Sequence, residues 1–104
     1  MNDQASSATE LLQRRLTLVG QISTLNAQAL KLRQSLAGIE MEVLRLELEI
    51  GRTATSAQLV RDLHEAEKNA EAIRAAQTDC DDRIAAAEGE VAELDLLLAT
   101  ARRT

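Results

Sequence analysis

The chain contains no proline and no phenylalanine, tyrosine or tryptophan, a single cysteine, and lysine only at positions 31 and 68. Each absence narrows what the protein can be. Aromatic side chains carry much of a globular core and line most ligand and nucleic-acid pockets, so a chain without them is poorly equipped for either. One cysteine cannot close an internal disulfide and suits a reducing compartment. No apolar run approaches the length that spans a bilayer, and the opening Met-Asn-Asp-Gln lacks the pattern of a signal peptide. A cytoplasmic location is the expectation. Lysine scarcity leaves arginine as almost the whole positive charge, and carries no functional meaning of its own.

What remains is aliphatic and charged, the composition of long helices that pair side by side. The net charge is −5 over 104 residues, and it is unevenly placed. Residues 1–52 hold six acids and six bases, whereas residues 53–104 hold eleven acids and six bases. A chain with an acidic excess and no basic stripe is unsuited to a nucleic-acid backbone or to an anionic lipid surface.

The strongest pattern in the sequence runs from Leu11 to Ile50. Alternating steps of three and four residues select Leu11, Arg15, Leu18, Ile22, Leu25, Ala29, Leu32, Leu36, Ile39, Val43, Leu46 and Ile50, of which only Arg15 is polar. That is the heptad seam of a helix requiring a helical partner along its length. Carried past Gly51, the same phase brings Thr53, His64 and Glu67 into the seam and fails. A fresh phase takes over with Leu59, Leu63, Ala66, Ala70, Ile73, Gln77, Cys80, Ile84, Ala87, Val91, Leu94, Leu98 and Ala101.

Turn chemistry agrees with the phase shift. Ser7 with Glu10, and Thr55 with Gln58, both fit capping boxes, and Gly51 suits the residue that closes a helix. The reading is all-α: a single domain with helix 1 over about 8–50, a turn at 51–56 and helix 2 over about 57–102, after a frayed start at residues 1–6. Folding back at the turn makes an antiparallel coiled-coil hairpin. Position numbers of seam partners then add to 109, setting for example Leu46 against Leu63 and Leu18 against Val91.

The first half carries a second three-four stripe: Leu12, Leu16, Val19, Ser23, Ala27, Leu30, Gln34, Ala37, Met41, Leu44 and Leu48. One hairpin cannot cover it, and an apolar strip of that length marks an interface. Leu12, Leu16, Val19, Leu30, Met41, Leu44 and Leu48 are therefore the expected protein-interface residues. Two hairpins pairing through their first helices into a four-helix assembly is the leading expectation, with a homodimer as the simplest form. A different protein as partner is the other.

The chemistry-bearing residues point to no reaction. Cys80 falls in the seam beside three aspartates, which oppose a reactive thiolate, so it reads as a small core residue. His64 lacks the Glu-x-x-His partner of a di-metal bundle. Asp79, Asp81 and Asp82 lack the glycine and distal glutamate of a calcium loop and belong to a solvated helix face. Gln77 and Arg15 are the polar seam positions. Gln77, in mid-helix, is the candidate for fixing register or specificity, whereas Arg15, near the open end, can extend its guanidinium into solvent.

No phosphate-binding glycine loop, nucleophile–base set or CxxC pair is present. No enzyme activity, cofactor, metal or small-molecule substrate is expected. The function expected is a non-catalytic coiled-coil interaction module, a structural or adaptor protein that self-associates or docks on a larger protein assembly. The alternative is a small helical chaperone or regulator of a secretion or phage-assembly type of machine, shielding a partner's amphipathic helix.

Overall fold

The computed structural model describes residues 3–53 and 56–103. Two α-helices account for nearly all of them: α1, Asp3–Arg52, and α2, Ala57–Arg103. No strand occurs among the described residues. By contacts the chain divides into two compact units. Unit 1 joins residues 1–28 to 80–104, and unit 2 comprises residues 29–79.

In unit 1 the two helical segments run antiparallel. Arg14 pairs with Glu90 at 3.1 Å and Arg15 with Asp95 at 2.7 Å, while the Cys80 thiol donates to the Leu25 carbonyl at 3.3 Å. The apolar centre gathers Leu18, Ala87 and Leu94, with Leu11, Ile22 and Val91 packed against them. All six are seam residues, and they include the expected pairs Ile22–Ala87 and Leu18–Val91.

Unit 2 is also antiparallel, since Arg74 of α2 reaches back to Glu40 of α1 at 3.6 Å. Its buried residues are Ala29, Leu46, Ala66 and Ala70, with Leu46 and Ala70 each only 2% exposed. Arg45 binds Glu42 at 2.7 Å and Glu49 at 3.0 Å along the same helix. The hydrogen bond from Arg45 holds the Glu42 carboxyl below its ordinary range, against an opposing push from burial. These pairs lie at the surface, where screening leaves an ion pair little net stabilisation.

The helix ends differ from the sequence expectation. Helix α1 begins at Asp3 rather than near residue 8, so Ser7 lies inside it and caps nothing. A serine costs a helix interior only a few tenths of a kcal/mol relative to alanine, roughly, which does not stop propagation. At the other end Gly51 remains helical, without the positive φ of a closing glycine. Glycine permits that conformation but does not demand it. The helix closes through Thr53 instead, whose amide and hydroxyl both donate to the Glu49 carbonyl, at 3.1 and 2.9 Å.

Helix α2 is capped one residue later than expected. The Ser56 hydroxyl accepts from the Leu59 amide at 3.1 Å, and the Ser56 carbonyl accepts the first helical bond, from Val60, at 3.2 Å. Thr55, the cap suggested by the sequence, lies outside the described residues. The Gln58 side-chain amide donates forward to Asp62 at 2.8 Å. Replacing Ser56 by alanine should lower the unfolding free energy by about 1 kcal/mol, whereas Ser56→Asp should preserve it. Urea denaturation of the three chains decides this, and an alanine variant as stable as the parent would remove Ser56 from the cap.

Candidate protein interface

A helix repeats every 3.6 residues, so positions spaced alternately by three and four share one face. Helix α1 carries two such faces side by side, and the structure treats them oppositely. All twelve α1 seam positions from Leu11 to Ile50 are buried or half-buried, as are the thirteen α2 seam positions from Leu59 to Ala101. Every position of the second stripe, Leu12 through Leu48, is exposed. Exposure of its large side chains runs from 41% at Val19 to 74% at Leu16.

Leu12, Leu16 and Val19 belong to unit 1, and Leu30, Met41, Leu44 and Leu48 to unit 2. On α2 the exposed large apolar residues are Val60, Leu96 and Leu97 alone among the described residues. The contrast between the helices therefore holds in three dimensions. One helix presents a periodic apolar face to solvent, while the other presents isolated side chains of the sort any surface carries.

Charge is arranged around this face in a way that α1 alone does not reveal. In unit 2 a groove runs beside Leu44, where Glu40 and Glu47 of α1 meet Glu67 and Glu71 of α2. Four carboxylates there face a single guanidinium, that of Arg74. In unit 1 the corresponding stretch of α1 carries Arg14 and Arg15. Arg15 carries its guanidinium to the surface near the open end, where its side chain is 41% exposed. Its Nε donates to Asp95, and that hydrogen bond, aided by the carboxylate's charge, raises the arginine above its ordinary pKa.

The remaining singled-out residues fall into place quietly. Gln77 is half-buried in unit 2. Cys80 is buried, 4% exposed, with its thiol on a backbone carbonyl. His64 is exposed on α2. Asp79, Asp81 and Asp82 are helical and exposed. No group of three or more His, Cys, Asp or Glu side chains among the described residues is placed to hold a metal ion. Nor is any helix among them long and apolar enough to cross a membrane.

Two features escaped the sequence. Asp95 sits eighty residues from Arg15, and nothing local signals the pairing. The acidic groove is assembled from two helices, so its charge appears in neither half of the chain read separately. The seam register was the one available signal: with partners adding to 109, Glu40 and Glu67 fall on neighbouring turns. No family model, no characterised protein and no solved structure matches this chain.

Proposed function

We propose that the protein is a non-catalytic coiled-coil interaction module that binds another helical surface through the apolar stripe of α1, as a structural or adaptor element. The observation that carries this reading is the exposure of Leu12, Leu16, Val19, Leu30, Met41, Leu44 and Leu48 on one face of a helix whose other face is already buried. Exposed leucines scattered singly need no explanation, but seven large apolar side chains on one helical period do. A helix lying in an apolar groove is read through anchors at this spacing, so the stripe has the form of a helix-recognition face.

The test replaces Leu30 and Leu44 together by glutamate. Both are exposed, so the helices should keep their circular dichroism and melting behaviour. Association should be lost, read as solution mass by light scattering over a tenfold range of concentration and as retention of any protein held by the parent chain. Association that survives both carboxylates unchanged sinks the interface reading.

A further inference from the structure

We infer that the two units answer ionic strength in opposite directions: added salt loosens unit 1 and tightens unit 2, so salt shifts which part of the seam is the more open. The inference is independent of what the apolar stripe of α1 binds. It follows from how charge is divided between the helical segments that pack together inside each unit.

Unit 1 is held by unlike charges. Residues 11–28 of α1 carry two cations, Arg14 and Arg15, and no carboxylate. The α2 residues of the same unit, 80–98, carry six carboxylates, Asp81, Asp82, Glu88, Glu90, Glu93 and Asp95, against Arg83 alone. Both α1 cations cross the interface, Arg14 to Glu90 at 3.1 Å and Arg15 to Asp95 at 2.7 Å. All four side chains are exposed to solvent, so their attraction passes through water and is open to screening.

Unit 2 sets like charges together. Residues 40–50 of α1 hold Glu40, Glu42, Glu47 and Glu49 against Arg45, a net −3. Residues 59–71 of α2 hold Asp62, Glu65, Glu67 and Glu71 against Arg61 and Lys68, a net −2. Glu40, Glu47, Glu67 and Glu71 line one groove in which Arg74 is the single base. Arg45 serves Glu42 and Glu49 on its own helix and feels the charge of Asp62 on the other. Two guanidiniums thus stand among seven carboxylates. The antiparallel register sharpens the point. One heptad along from the observed Glu40–Arg74 pair, it sets Glu47 against Glu67, a carboxylate facing a carboxylate. Glu67 and Glu71 repel again, four residues apart on one helix.

Salt shortens the reach of both effects, from roughly 30 Å at 0.01 M to about 3 Å at 1 M. Lost attraction weakens unit 1, and lost repulsion strengthens unit 2. A general effect of salt on apolar burial moves both units the same way. The difference in sign is therefore the signature of the charge arrangement.

Amide hydrogen exchange of the full chain at neutral pH, in 0.01 M and in 1 M sodium chloride, tests this. Protection of residues 40–46 and 63–71 relative to residues 14–25 and 84–95 should rise about fivefold or more with salt. Arg14→Gln, Arg15→Gln, Glu90→Gln and Asp95→Asn together nearly keep side-chain size and should abolish the response of unit 1. Glu47→Gln with Glu67→Gln should raise the protection of unit 2 about threefold at low salt and leave it nearly indifferent to more. A ratio unmoved by salt, or two units that shift in the same direction, overturns the inference. So does a response that survives in both neutralised chains, which would place its origin in water rather than in these charges.

Discussion

Replacing Leu46 by alanine should destabilise the chain by about 2–5 kcal/mol, while the same replacement at Leu44, two residues away, should cost under about 0.5 kcal/mol in the unassociated chain. Leu46 is the largest fully buried side chain among the described residues, and Leu44 is 53% exposed. The lost methylenes are the same. The difference lies in what surrounds them, because a buried truncation forfeits transfer energy and leaves a cavity that a packed core only partly closes. Urea unfolding at a concentration below any self-association measures both variants. Equal losses at the two positions would mean that the seam and the stripe are not distinct faces. A loss at Leu44 that appears only at high concentration would tie that residue to assembly.

The second large effect runs in the opposite direction, from small to large. Ala70 is 2% exposed in unit 2, whereas Ala72 is exposed on the same helix. Ala70→Leu should cost about 1–3 kcal/mol, because a well-packed contact absorbs added volume only by shifting its neighbours. Ala72→Leu should be nearly neutral, since leucine is almost as good a helix former as alanine. Among the described residues, five of the nine buried apolar ones, Ala29, Ala66, Ala70, Cys80 and Ala87, are small. The close approach of α1 and α2 within each unit rests on these positions, which is why added bulk is expected to hurt. Thermal unfolding of the pair of variants settles the point, and an Ala70→Leu chain that melts with the parent would show a slack interface.

How much of this was legible beforehand depends on whether a feature is periodic. The seam was fully readable because burial on a helix follows 3.6-residue geometry, and every predicted seam position, including polar Arg15 and Gln77, is buried or half-buried. The apolar stripe was readable for the same reason. Its exposure follows from the seam's choice of face. The ends were less so. Thr53, Thr55 and Ser56 all offer a hydroxyl within four residues, and sequence alone does not say which closes α1 and which opens α2. In the structure Thr53 serves the first and Ser56 the second. Gly51 misled because a glycine near a helix end is only one of several ways to stop it. The Arg15–Asp95 pair and the acidic groove could be read only through the seam register, which sets Arg15 against Leu94 beside Asp95, because no local pattern joins side chains so far apart in the chain.

The Ser56 cap has a bearing on the order of events during folding. It opens α2 a few residues after Thr53 ends α1, so the contacts of unit 2 nearest the turn join residues close in the chain. The pair Arg74–Glu40 spans 34 positions, whereas Arg15–Asp95 spans 80. Closing a long loop costs more entropy than closing a short one, but the cost grows only as a logarithm and is reduced once the intervening chain is ordered. The short-range contacts of unit 2 are therefore expected to form and to protect their amides independently of the long-range contacts of unit 1, and amide exchange resolved along α1 and α2 measures whether residues 11–18 and 94–98 open before residues 40–46 and 66–74.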